Sequence, residues 1–375
     1  MFSDSLTDAI AEAEKLVAAA PHIETEADLL EGLQYLAGGI SACIHLAFDY
    51  DRDHPFLQSG TGPFTKMGLD NPDTLYFGTR LHANHDYVVT GVRGTTTDLS
   101  FQLLGGEYTD DNVPASQAAF DDRELEIAAD GTFEWRVRPT SNGQLVMREV
   151  YGDWSAQRGT LAISRLDTAG TAPPPLTREL IEKRYATAGK QLVQRVKTWL
   201  QFPQWFYLNL PVNTMVAPRL TPGGLATQYS SVGHYELNPD QALIITIPVS
   251  DAPYLGFQLG SLWYISLDYI NHQTSLNNTQ AQADPDGKVR IVVADGNPGV
   301  TNWVETLGHR RGYLQFRWQR VSRELTDADG PTVELVDLDA VASKLPYFDH
   351  NKISEDDWRE RIALRQRQIQ ARMLG

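Results

Sequence analysis

The chain has 375 residues, 42% hydrophobic and 21% charged, ordinary proportions for a globular protein with room for a sizeable core. A formal net charge of -16 repels phosphate backbones and anionic lipid, so neither nucleic acid nor a membrane is an expected partner. The lone cysteine, Cys43, excludes an intrachain disulfide, and its apolar neighbours mark it as a buried structural thiol.

The first residues, MFSDSLTDAIAEAEKL, are amphipathic and acidic, without the positive start and apolar run of a signal peptide. No stretch reaches the ~18 uninterrupted apolar residues of a membrane helix. The expected location is cytoplasmic. Leu6, Ile10, Ala13, Leu16 and Val17 recur at helical spacing, and Pro21 ends that helix. Thr25-Glu26-Ala27-Asp28 reads as a capping box opening a second helix, in which Gly38-Gly39 permits a close backbone approach. Residues 1–68 form an N-terminal helical segment.

From about residue 73 the period changes to two. Segments 87–92, 133–137 and 145–150 alternate as half-buried strands do, and Asp130-Gly131 and Asn142-Gly143 are hairpin-type turns. This predicts a first β-lobe over 69–172. Pro173-Pro174-Pro175 stiffens a linker, and a bridging helix follows from Thr177 to about Leu200, within 173–204. A second β-lobe spans 205–345. There, 242–249 is apolar enough to be buried on both faces, 313–318 forms a further strand, and Asp286-Gly287 closes another turn. Residues 346–375 hold a C-terminal helix capped by Ser354 and Asp357. Its arginines make a local basic patch, and its apolar side offers a face for docking or homo-oligomerisation. The fold class is therefore α+β and mainly β: two sandwich- or jelly-roll-like lobes with N-terminal, bridging and C-terminal helices.

Chemistry is narrowed first by what is missing. The chain has no G-x-S-x-G elbow, Walker A loop, H-E-x-x-H pair or G-x-G-x-x-G after a strand, which removes common hydrolase, nucleotidase and dinucleotide classes. Three clusters remain. Asn71-Pro72-Asp73-Thr74-Leu75-Tyr76, followed by His82 and His85, collects amide, carboxylate, phenol and imidazole groups at the start of the β region. His82 and His85 point oppositely on a strand, so a shared metal is not expected. Residues 263–280, with Asp268, Tyr269 and Asn271, mix amides and hydroxyls with aromatics, as suits an uncharged oxygen-bearing ligand. The third cluster, Asn297-Pro298-Gly299, is a turn that presents Asn302 and Trp303.

Asn71-Pro72-Asp73-Thr74-Leu75-Tyr76, Ser266-Leu267-Asp268-Tyr269, Asp284-Pro285-Asp286-Gly287, Pro298-Gly299 and Asn302-Trp303 together resemble the bacterial family called domain of unknown function 1254/1214. The resemblance implies tandem β-sandwich or jelly-roll lobes with added helices, and no cofactor. Many relatives look exported, whereas this chain lacks a signal peptide.

Two functions are expected from these features. One is an enzyme acting on a small oxygen-bearing molecule, glycan-like or a hydroxylated ring, by metal-independent acid/base chemistry. Asp73, His82 and Asp268 would move the proton; Asn71, Tyr76, Tyr269, Asn271, Asn302 and Trp303 would hold the substrate. The other is a non-catalytic protein using the same surface to bind a small molecule or a partner. The enzyme requires its proton-transfer groups to converge.

Overall fold

The computed structural model describes residues 1–49, 51–220 and 225–374. Two helices open the chain, α1 (Asp4–Ala18) and α2 (Glu26–Phe48). The expected capping box starts α2: Thr25 Oγ1 accepts from the Asp28 N–H, and Asp28 Oδ2 accepts from the Thr25 N–H at 2.8 Å. The bridging helix α3 (Arg178–Phe206) packs across both, joining Ala13, Val17, Leu36, Leu192 and Val196 around Trp263. Gly38 is needed for a close approach, since a Cβ there would stand 2.5 Å from the Phe64 carbonyl oxygen. Cys43 is buried in this cluster, and burial pushes its thiol pKa up.

Lobe one contains β1 (Thr74–Leu81), β2 (Tyr87–Val92), β3 (Asp98–Gly105), β4 (Ala115–Asp121), β5 (Thr132–Val137), β6 (Gly143–Val150) and β7 (Thr160–Arg165). They pair as two antiparallel sheets, β1-β6-β3-β4 and β5-β2-β7. Phe101, Leu145 and Met147 of the first sheet meet Val89, Phe133 and Ile163 of the second in one cluster, so the pair is a sandwich. Gly131 takes φ 84° and turns the chain back between Ala128 and Thr132, as expected. Asn142-Gly143 is a correction. Because β5 and β6 belong to different sheets, this turn carries the chain from one to the other and closes no hairpin.

Lobe two repeats the arrangement. Its strands are β8 (Thr214–Met215), β9 (Arg219–Leu220), β10 (Tyr229–Glu236), β11 (Gln241–Pro248), β12 (Tyr254–Gly260), β13 (Ser275–Asn277), β14 (Lys288–Ala294), β15 (Trp303–Glu305), β16 (Arg311–Gln319) and β17 (Thr332–Asp337). One sheet runs β13-β12-β16-β10-β8 with β9 beside β10, and the other runs β15-β14-β11-β17. Between them lie Leu243, Ile245, Phe257, Leu259, Phe316 and Trp318. As its apolar run requires, β11 is covered on both faces: Ala242 and Ile244 join Val292, Trp303 and Val336 in a second cluster.

Three helices finish the chain: α4 (Val341–Lys344), α5 (Phe348–Asn351) and α6 (Glu355–Leu374). Ser354 Oγ accepts from the Asp357 N–H at 3.1 Å and caps α6. The basic patch expected there is not found, because Arg365 and Arg372 are only 4% and 5% exposed. Arg365 donates to the Tyr269 and Ser275 carbonyls, and Arg372 donates to Pro72 O at 2.7 Å. Ile369 packs with Leu75, Tyr151, Trp154 and Tyr269. The helix thus docks on its own chain and ties lobe one to lobe two. No helix among the described residues is long and apolar enough to cross a membrane.

Candidate functional site: a cavity between the lobes

Successive side chains of a strand point to opposite faces. In β6, Leu145 and Met147 enter the lobe-one core, which leaves Gln144, Val146 and Arg148 on the outer face. In β16, Leu314, Phe316 and Trp318 enter the lobe-two core, leaving Gln315, Arg317 and Gln319 outside. On a free sandwich those faces would meet water. Here the two outer faces meet each other, so β16 is buried on both sides from Gly312 to Gln319. Between them lies a cavity of about 250 Å³, whose lining includes Tyr76, Arg148, Ser230, Gln315, Trp199 and Tyr264. At ~30 Å³ per water, that is space for about eight waters or one small organic molecule.

One wall is aromatic. Trp199 stacks on Tyr264 at 5.7 Å between centroids, and Tyr108 and Phe202 lie 5.6 and 5.4 Å from Trp199. Gly68, at φ 65°, lets the chain pass beneath, since its Cβ would stand 3.0 Å from the Trp199 ring. A polar chain then leads across the cavity. Tyr264 OH donates to Tyr207 OH at 3.3 Å, Tyr207 OH donates to Gln315 Oε1 at 3.0 Å, and that same oxygen accepts from Arg317 at 3.0 Å. Arg317 also donates to Gln258 Oε1 and Leu69 O. Opposite stands Arg148, paired in register with Tyr76. Burial pushes the guanidinium pKa of Arg148 down and the phenol pKa of Tyr76 up, yet an arginine stays charged.

The structure separates the residues expected to act together. Asn71 and Tyr76 do line the cavity. Asp73 is 2% exposed beside it, turned into the junction below. Its Oδ1 accepts from Trp154 Nε1 at 2.6 Å and Asn277 Nδ2 at 3.1 Å, and its Oδ2 accepts from Tyr254 OH at 2.7 Å. Desolvation raises its pKa, partly offset by those bonds and by Arg372. Gly256 makes room, because a Cβ there would stand 2.1 Å from the Tyr254 hydroxyl.

The convergence of Asp73, His82 and Asp268 is not found. His82 follows the far end of β1, nine residues along an extended strand and about 30 Å from Asp73. It faces Asp53 at 3.4 Å, while its neighbour His85 faces Asp167. Asp268 folds back on its own loop, accepting from Ile270 N, Asn271 N and Asn271 Nδ2. Burial opposes its ionisation, but these bonds outweigh it and leave its pKa low. Tyr269 is packed against α6, with Lys66 Nζ 4.9 Å over its ring. Exposed Asn271 accepts from Gln366 Nε2 at 3.0 Å.

Asn302 and Trp303 sit on the opposite side of lobe two. Asn302 is sewn to Gln282 N, Gln282 O and Arg290 O. Trp303 donates to Ala294 O at 3.0 Å and stacks on Trp358 at 4.9 Å, a core position. The two motif regions do touch, through Asn277 on Asp73 and Ser266 on Asp70, but at a packed joint.

One acidic group, Asp98, Asp121 and Asp122, has oxygens within 4.8 Å of one another, as a metal site would. Three arginines already neutralise it: Arg93 and Arg320 reach Asp122 at 2.7 Å, and Arg123 reaches Asp121 at 2.6 Å. Sequence reasoning missed the cavity-lining Arg148, Gln315, Arg317 and Trp199. The one sequence signal for the first three was a polar residue at every second position of strands whose other face is core, which ordinarily denotes solvent.

Fold and site together define two β-sandwiches stacked on their polar faces around a small aromatic and amide cavity. An uncharacterised protein from Burkholderia cenocepacia has the same fold, with TM-score 0.81 and 25% identity over 91% of this chain and 98% of its own. A protein of Vibrio parahaemolyticus aligns at 12% identity and TM-score 0.42, over 88% of this chain and 100% of its own. No family model matches the chain, and no curated protein matches it.

Proposed function

We propose that the cavity between the lobes binds a small oxygen-bearing ring compound and that the chain is a non-catalytic binding protein. The observation that carries this reading is the make-up of the cavity: an aromatic wall at Trp199 and Tyr264 with amides and hydroxyls at Gln315, Ser230 and Tyr76. Acid/base catalysis has less support. Asp73 has no free face, His82 lies at the other end of β1, and Asp268 caps its own loop. The motif resemblance to domain of unknown function 1254/1214 belongs to the same proposal and adds no substrate. Cytoplasmic residence is part of it too, supported by the lone cysteine and the acidic composition.

The test is a thermal-shift and calorimetric panel of phenols, cyclitols and monosaccharides against the parent chain and Val146→Phe, whose added ring fills the cavity. At least one ring class raises Tm of the parent and not of the variant. Equal responses from both proteins place binding elsewhere, and silence across the panel overturns the reading.

A further inference from the structure

Resting on that reading, we infer that the ligand is an anion, a planar carboxylate on a cyclic apolar body, with its carboxylate at Arg148 and its ring against the Trp199–Tyr264 wall. Charge is distributed unevenly in this molecule. The chain as a whole is strongly acidic at -16, yet its cavity is lined by Arg148, Arg219 and Arg317. Among the described lining residues none is Asp or Glu.

Some arginines of low exposure are neutralised elsewhere in this protein. Arg93 pairs with Asp122, Arg165 with Asp53 and Asp167, and Arg290 with Asp284 and Asp286. Arg195, Arg365 and Arg372 are instead buried on carbonyl and hydroxyl oxygens. Arg148 and Arg317 likewise have no carboxylate partner among the described residues, and these two line the cavity. All three acceptors on Arg317 are uncharged, two side-chain amides and one backbone carbonyl. Arg148 makes a single hydrogen bond among the described residues, to Gln102 Oε1 at 3.1 Å. A guanidinium carries five N–H donors in a planar fork, so most of this fork is unused. Asp98, the carboxylate on the same face of β3, is turned to Arg320 at 3.7 Å.

Tyr76 adds to the imbalance. Its hydroxyl accepts from the Asn71 N–H at 2.9 Å, and its proton meets no acceptor among the described residues. Two cations and a hydroxyl donor thus converge on one space without an anion. The guanidinium groups also repel each other, and a bound carboxylate relieves both at once. Arg148 suits a carboxylate in particular because the fork matches its two oxygens. Inorganic anions leave the aromatic wall without a partner, whereas a ring fills it.

The experiment is calorimetry with benzoate and its neutral isostere benzamide on the parent chain, Arg148→Gln, Arg148→Lys and the control His82→Ala. Circular dichroism establishes that each is folded. The parent and His82→Ala bind benzoate at least about tenfold tighter than benzamide. Arg148→Gln loses that preference by a drop of similar size in benzoate affinity, and Arg148→Lys falls between. The inference is overturned when benzamide matches benzoate on the parent, or when Arg148→Gln keeps the preference. Binding of a neutral ring from the earlier panel without benzoate removes the anion and spares the cavity reading. Failure of neutral rings and benzoate alike removes both.

Discussion

Two buried polar sites lie close together in this molecule, and they are built on opposite terms. At the joint below the cavity, the Asp73 carboxylate is filled by Trp154, Tyr254 and Asn277, with Arg365 and Arg372 within electrostatic reach. In the cavity, Arg148 has one hydrogen bond and no ion pair among the described residues, with Asp98 acting on it only at a distance. Both are ionisable groups largely removed from solvent, so burial alone does not separate frame from site. What separates them is how the group is engaged: both Asp73 oxygens are taken by neighbours, whereas most of the Arg148 fork meets no acceptor among the described residues, although Arg372 at the joint also keeps unpaired nitrogens.

The comparison can be broken most directly at Asp73. Asp73→Ala strands three donors and leaves Arg365 and Arg372 uncompensated, so about 3–5 kcal/mol of stability is lost in urea denaturation. A loss under about 1 kcal/mol would show that the joint is not the frame. A second buried carboxylate tests the same idea through pH. Burial, reinforced by Asp121, pushes the Asp98 pKa from 3.8 up to about 7. The folded state therefore holds this proton more tightly than the unfolded chain does. Its contribution to stability falls as pH rises from about 4 to about 7 and is flat above, by at most roughly 4 kcal/mol. Asp98→Asn flattens that part of the profile, which urea midpoints measured across pH will reveal.

Smaller effects sharpen the contrast. Asn302→Ala removes a side chain that joins three backbone groups, so a loss of about 2 kcal/mol in denaturant titration is expected. Arg148→Gln, by contrast, leaves the unliganded protein within about 1 kcal/mol of the parent or stabilises it, because it removes a charge that nothing pairs. The same titration compares it with Asp73→Ala. His82→Ala, at a half-exposed position facing Asp53, shifts stability by no more than about 0.5 kcal/mol.

Much of the frame was legible because local rules govern it. The capping box at Thr25, the Ser354 cap, the doubly covered β11 and the turns at Gly131 and Gly287 follow from short-range chemistry. Asn142-Gly143 has the same local chemistry, but its partner strands are chosen by the packing of two sheets, which no dipeptide encodes. Among the site residues, Asn71 and Tyr76 were found and Arg148 and Arg317 were not. The alternation Leu314-Gln315-Phe316-Arg317-Trp318 is the pattern of a strand with one wet face, and only the second lobe makes that face dry. Asp73 and Asn302 stood out in sequence because polar groups in apolar surroundings do so whether they brace a fold or bind a ligand.

The seam between the stacked sandwiches has a kinetic consequence. Gln144 and Arg148 on one side and Gln315, Arg317 and Gln319 on the other can exchange protein partners for solvent at a net cost of only about 0.5–1.5 kcal/mol each. Water reaching these polar faces costs less than water reaching either greasy interior, while the Asp73 joint and α6 hold the lobes together. Backbone amides beside the seam are therefore expected to exchange with solvent faster than those of either core while both lobes stay folded.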